Sequence, residues 1–153
     1  VAEEGEVGRN KVTSTPKRLL LVEDDAHDAR FVMRAFAQID KSIELVLVTD
    51  ADEAVEQLSS GHFDYMLMDI KLPGSDGIEL LRRVRKSRAT ALIPIIVLTS
   101  SINPADVLHC YGAGANAYAA KPSSVIEYRR FAEAFIRFWV ESTILPPGMS
   151  ARR

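Results

Sequence analysis

A single cysteine, Cys110, stands among 153 residues. It cannot close an internal disulfide, which sets aside the stapled secreted scaffolds and makes a reducing cytoplasm the expected compartment. No apolar run reaches the ~18 residues of a membrane-spanning helix, and the first segment, Val1 to Lys17, is too polar to read as a signal peptide. No contact with a membrane is expected. Charge of one sign is also missing: 19 basic and 21 acidic residues are mixed along the chain and leave a formal net charge of −2, so no nucleic-acid surface is expected. Internal repeats and low-complexity tracts are absent. What is present is apolar: 47% of residues are hydrophobic against 26% charged, enough for a packed core in the ~100–200 residues of one domain.

Val1 to Thr15 contains Gly5, Gly8, Ser14 and three glutamates with almost no apolar residue beyond valine. Residues 1–16 are therefore expected as a disordered tail, followed by a domain over 17–142 and an extension over 143–153. Inside the domain, short apolar runs (Leu19 to Val22, Ile43 to Val48, Phe63 to Met68, Ile93 to Leu98, Ala115 to Ala120) imply five strands. Helix-period segments lie between them, with Val32, Ala35, Phe36 and Ile39 in the first, and Val125, Tyr128, Ala132, Phe135, Ile136 and Trp139 in the last. Asp50 with Glu53 and Ser124 with Glu127 read as capping boxes, Asn103-Pro104 as an N-cap with proline in the first turn, and Asp25 and Asp76 as starts of the first and third helices. Strand and helix alternate. Because parallel strands need a crossover and a helix is the usual one, the pattern predicts an α/β domain around a parallel sheet.

Ligands of open parallel sheets bind at the carboxyl ends of the strands. The residues following the apolar runs there are Glu23-Asp24-Asp25, Asp69, Thr99-Ser100-Ser101 and Lys121-Pro122. Four strand ends thus converge on one acidic pocket. Two ionised carboxylates about 5 Å apart repel by roughly 3 kcal/mol at an effective dielectric near 20, so the group calls for a cation. Carboxylate oxygens without a His/Cys pattern favour Mg²⁺ or Mn²⁺. A divalent ion, a lysine and a hydroxyl around one carboxylate suit phosphoryl transfer, with Asp69 as nucleophile, Thr99 as hydrogen-bond donor and Lys121 neutralising phosphoryl oxygens.

These motifs, together with Met68-Asp69-Ile70-Lys71-Leu72-Pro73-Gly74-Ser75-Asp76-Gly77 and Gly114-Ala115-Asn116-Ala117-Tyr118-Ala119-Ala120-Lys121-Pro122, resemble the receiver domain of two-component response regulators over about residues 17–140. The resemblance implies a flavodoxin-like, doubly wound fold: a five-stranded parallel sheet in the order 2-1-3-4-5 with five helices on both faces. It also implies that Asp69 accepts a phosphoryl group from a histidine kinase. Asp24 would bind the metal directly, Glu23 through the metal's water, and the Lys71 backbone carbonyl would complete the protein ligands. Thr99 and Tyr118 match the switch pair, Lys121 the phosphate-binding lysine, and Pro122 would follow a cis peptide. Glu23 stands where many members have Asp. The Lys71 side chain could cover the acyl phosphate, and Ser100 is small, as the family requires. Phe138 to Pro146 resembles the tail of single-domain regulators that serve phytochrome-type kinases, which implies a homodimer through the C-terminal region.

The surrounding residues read blandly. His27, His62 and His109 are expected on the surface and Cys110 in packing. Phe131, Phe135, Phe138 and Trp139 cannot all be buried by one helix on one sheet face, which leaves an aromatic remainder for a partner. An aspartyl-nucleophile phosphatase would want a second acid at position 71, and a flavin carrier a phosphate-cradling loop in place of Glu23-Asp24-Asp25. A receiver that no longer takes phosphate would lack Asp69 or Lys121. The expected function is a stand-alone response regulator that signals by protein contact, not an enzyme acting on other molecules; a phosphate shuttle or sink within a phosphorelay is the alternative.

Overall fold

A computed structural model describes residues 16–147. The tail expected over 1–16 lies outside the described residues except for Pro16, as does the extension from residue 148 onward. Five strands, β1 (Arg18–Val22), β2 (Glu44–Val48), β3 (Tyr65–Met68), β4 (Ile95–Thr99) and β5 (Ala117–Ala120), form one parallel sheet in the order 2-1-3-4-5. Five helices alternate with them: α1 (Ala26–Ile39), α2 (Ala51–Ser60), α3 (Gly77–Lys86), α4 (Pro104–Gly112) and α5 (Val125–Phe135). The topology is the expected one.

In the three central strands, residues 19–22, 65–68 and 95–98 are apolar without interruption because helices cover both of their faces. Side chains of a strand alternate between faces. Leu20, Val22, Met66, Met68, Ile95 and Val97 meet α2, α3 and α4, whereas Leu19, Leu21, Tyr65, Leu67, Ile96 and Leu98 meet α1 and α5. Three expected strands begin two residues later than the apolar runs. Phe63, Ile93 and Ala115 precede them, yet each is at least nine-tenths buried, so burial extends into the loops below the sheet.

Every expected N-cap is occupied. Asp25 accepts from the amides of His27 and Asp28, Asp50 from Glu53, Asp76 from Ile78, Asn103 from Ala105 and Ser124 from Glu127. Both capping boxes are displaced by one residue in their return arm: Glu53 accepts from the amide of Thr49 and Glu127 from that of Ser123. The last helix is not a single regular one. After Phe135 it widens into a π-helical turn, Ile136–Ser142, and the Tyr65 hydroxyl donates to the Trp139 carbonyl in that turn (3.2 Å). Phe135 is buried, Phe131 and Trp139 partly so, and Phe138 is exposed, so the aromatic remainder exists.

At the end of the sheet away from the strand C-termini, Arg85 acts as a staple. Its guanidinium donates to the carbonyls of Gly114 (2.9 Å), Thr90 (3.5 Å), Ala91 (3.1 Å) and Ile93 (2.6 Å) and to the side-chain oxygen of Asn116 (2.8 Å). Gly114, at φ 108°, brings its backbone so close that an added Cβ would lie 2.8 Å from Arg85 Cγ. The loops entering β4 and β5 are thus tied to the end of α3.

Candidate functional site

The sheet register builds the site. Beyond the last paired residues the ladder continues for one step: the amide of Glu23 donates to Val48 O (3.0 Å), that of Asp69 to Val22 O (3.0 Å), and that of Lys121 to Thr99 O (2.9 Å). Parallel strands in this register bring Glu23, Asp69, Thr99 and Lys121 to neighbouring strand ends. Glu23, Asp69 and Thr99 are each more than nine-tenths buried.

Asp69 is held from three sides. Its Oδ1 accepts from the Thr99 hydroxyl (2.7 Å) and from the Lys71 amide (3.0 Å), while its Oδ2 is 2.6 Å from Lys121 Nζ. Glu23 uses both oxygens: Oε1 accepts from the Asp25 amide (3.0 Å) and Oε2 is 2.9 Å from Lys121 Nζ. Burial pushes the Glu23 carboxyl above its ordinary range, against the partial relief from Lys121 and the Asp25 amide. Burial also works against the charge on Lys121, but its hydrogen bonds to Asp28, Asp69 and Glu23 outweigh it and hold the ammonium well above its usual value. The lysine stays charged at any physiological pH.

Carboxylate oxygens of Glu23, Asp24 and Asp69 lie within 4.8 Å of one another. Asp24 is exposed and gives the group an open side. Three hard oxygens facing one opening fit Mg²⁺ or Mn²⁺, which take carboxylates and retain several waters. At Lys71 the backbone amide is the group turned to Asp69, and the side chain is exposed.

One residue at the site escaped the sequence reading. Asp28, in the first turn of α1, places Oδ2 2.7 Å from Lys121 Nζ. Its neighbour Tyr128 on α5 is buried, and burial, with the Asp28 charge next, raises the phenol to about 12. The only signal in the sequence was the acid itself, four positions after Asp24. Asp25 and Asp76 act as helix caps, as expected. His27, His62 and His109 are exposed, and His62 pairs with Asp64 (3.1 Å). Cys110 is fully buried, and burial pushes its thiol up to about 11, so it is inert as a nucleophile.

On the far side of Thr99, the Tyr118 hydroxyl donates to the carbonyl of Ser101 (2.7 Å), and the Tyr118 amide donates to the hydroxyl of Tyr111 on α4 (3.2 Å). The Ser101 hydroxyl in turn donates to the Asp106 carboxylate on the same helix. Tyr118 therefore ties β5 to the loop that follows Thr99. The expected cis bond before Pro122 is absent: among the described residues every peptide bond is trans. Pairing with Thr99 already delivers Lys121 to the pocket.

A parallel sheet in this order, ending in a buried aspartate between a hydroxyl and an ammonium, defines a class. The chain belongs to the response regulator receiver domain family, whose model matches residues 19–131. Among individual proteins, response regulator Rcp1 of Synechocystis sp. is 30% identical over 141 residues, covering 88% of this chain and 96% of Rcp1. A crystal structure of the phosphorylated cyanobacterial phytochrome response regulator RcpA matches with a TM-score of 0.80 and 31% identity, over 85% of this chain and 98% of that one. A crystal structure of the Mn²⁺-bound form of Rcp1 matches with a TM-score of 0.76 and 30% identity, over 86% of this chain and 99% of that one. Among the described residues no helix is long and apolar enough to cross a membrane.

Proposed function

We propose that this chain is a stand-alone, cytoplasmic response regulator that takes a phosphoryl group from a phytochrome-type histidine kinase onto Asp69. The observation that carries the reading is Asp69 itself, buried, with Thr99 on one oxygen and Lys121 on the other. In the transfer, an Asp69 oxygen forms the new O–P bond as the donor's P–N bond breaks and the leaving imidazole takes a proton. Lys121 faces the phosphoryl oxygens with a fixed positive charge, and Thr99 turns its hydroxyl from Asp69 to one of them. Glu23, Asp24, Asp69 and the Lys71 carbonyl would hold the divalent ion, which when bound adds further positive charge to the same oxygens. The protein would catalyse its own phosphorylation and its later hydrolysis, and the Lys71 side chain would modulate the lifetime of the acyl phosphate.

Thr99 and Tyr118 form the switch in this reading. When the Thr99 hydroxyl leaves Asp69, the loop carrying Ser101 shifts, and Tyr118 passes that shift to α4. The tail supports a homodimer: Phe138 and Ile144 are 57% and 98% exposed beside the partly buried Trp139 and Leu145. We divide the chain into a tail over 1–16, a receiver over 17–142 and an extension over 143–153.

Incubation with acetyl phosphate and Mg²⁺ should add about 80 Da, one phosphoryl group, to the wild type and nothing to Asp69→Asn. A wild type without the adduct, or an Asp69→Asn protein that keeps it, removes the reading. For the dimer, sedimentation of the double variant Phe138→Glu, Ile144→Glu should give a monomer at concentrations where the wild type is a dimer. Equal sedimentation of the two would place the contact elsewhere.

A further inference from the structure

Asp28 belongs to none of the strand ends that make the pocket, yet it is as close to Lys121 as the phosphoacceptor is. Lys121 Nζ lies 2.6 Å from Asp69, 2.7 Å from Asp28 and 2.9 Å from Glu23. An ammonium has three N–H donors and no acceptor. Here three carboxylates from three different elements surround it, and Asp28 alone of the three stands outside the Glu23, Asp24 and Asp69 cluster. We propose that Asp28 is a positioning residue: it anchors the Lys121 ammonium against α1, and so prevents that ammonium from taking the place of a divalent cation between Glu23 and Asp69. This rests on the reading of the pocket as a divalent-ion phosphoacceptor site.

Without Asp28 the ammonium has two carboxylate partners left, both of them members of the candidate metal cluster. It then competes for those oxygens with any ion of the same sign. With Asp28 in place, one donor is engaged on the α1 side, and Glu23 and Asp69 keep more of their field for the ion. The position of Asp28 is well fixed, because its amide donates to the capping carboxylate of Asp25 (3.0 Å) and its charge sits at a helix N-terminus. It also lies at the rim: its side chain is 31% exposed, against 5% for Asp69 and 12% for Lys121. Asp28 therefore contacts the lysine without competing for the phosphoryl position.

The test is titration of the full chain with Mn²⁺ alone, counting free ion by electron paramagnetic resonance, in wild type, Asp28→Asn, Asp28→Glu, Lys121→Met and the double variant Asp28→Asn, Lys121→Met. Loss of a group that orients a site typically weakens metal binding 10–100-fold, and a loss of about tenfold is expected in Asp28→Asn, with most of it restored in Asp28→Glu. Adding Asp28→Asn to Lys121→Met should cost nothing further. Affinity in Asp28→Asn equal to wild type overturns the proposal alone. So does an equal tenfold loss in the Lys121→Met background, because the charge would then act through space and not through the lysine. A wild type that binds no Mn²⁺ overturns the pocket reading and this proposal together. Melting by circular dichroism checks that each variant is folded, and Asp28→Ser replaces Asp28→Asn if the latter is not.

Discussion

Lys121→Met is expected to slow phosphorylation of Asp69 by acetyl phosphate about 10²–10³-fold, the usual cost of removing one donor that faces developing charge. It should also lower stability at pH 7 by about 3 kcal/mol, because the variant leaves buried Glu23 and Asp69 without their counter-ion. The two effects have different pH dependences. The folded state holds Lys121 above its ordinary 10.5, so its contribution is fully present below that value and fades only at strongly alkaline pH. Glu23 has the opposite sign. Its folded value is raised above 4.5, so it costs stability in full above the folded value, and the cost fades as the pH falls from there and is gone below 4.5. Removing Lys121 removes two influences that lower Glu23, its hydrogen bond and its charge, and so enlarges that cost at neutral pH. The deficit of Lys121→Met should therefore shrink as the pH is lowered from 7 towards 4.5, as measured by urea unfolding across that range. A deficit that is constant over this range, or no deficit at pH 7, would show that the lysine is not the counter-ion of the buried acids.

Among the described glycines, Gly77→Ala should be the most damaging substitution. Gly77 opens α3, and a Cβ there would lie 2.4 Å from Ile70 Cα and 2.5 Å from the Ile70 carbonyl oxygen. Both atoms are backbone, so no rotamer change can relieve the contact. The Gly77 amide also donates to that same carbonyl (3.0 Å), which fixes the approach. Overpacking of this kind costs about 3 kcal/mol. Because Ile70 directly follows Asp69, the strain is delivered to the phosphoacceptor, and a misplacement near 1 Å would cost about a hundredfold in phosphorylation rate. Gly74 provides the control: at φ 67° with open space around it, Gly74→Ala should cost only about 1–2 kcal/mol. Denaturation curves and acetyl phosphate kinetics of the two variants test the contrast. A Gly77→Ala protein as stable and as fast as Gly74→Ala would mean that α3 can shift away from Ile70.

The sequence made the architecture legible because its signals are local. Three central strands are apolar on both faces, each helix start carries a capping side chain, and the polar residue after each strand could be read directly. Asp69, Thr99 and Lys121 meet because parallel pairing aligns strand ends, a rule that needs no coordinates. Asp28 was hidden for the opposite reason: its role depends on how α1 is rotated over the sheet, and a helix-turn acid is ordinary in itself. The π-helical turn after Phe135 was also hidden, since apolar spacing in Ile136 and Trp139 continues through it without a break. The cis peptide was an inference from resemblance. The backbone bond between Lys121 and Thr99 accounts for the placement of the lysine without it.

The two ends of the sheet meet dissolved ions differently. Asp24 is exposed and Asp28 stands at the rim of the pocket, and added salt screens charges so placed over ~8–10 Å. The Arg85 staple binds four backbone carbonyls and an amide oxygen, all uncharged partners in a half-buried setting, where screening has little purchase. The two ends of the same sheet thus answer differently to salt. Amide exchange near Gly114 and Asn116 should stay level as salt is raised, while exchange near Asp24 and Lys71 changes. A simple electrolyte can thereby address the phosphoacceptor end of the molecule and leave its base in place.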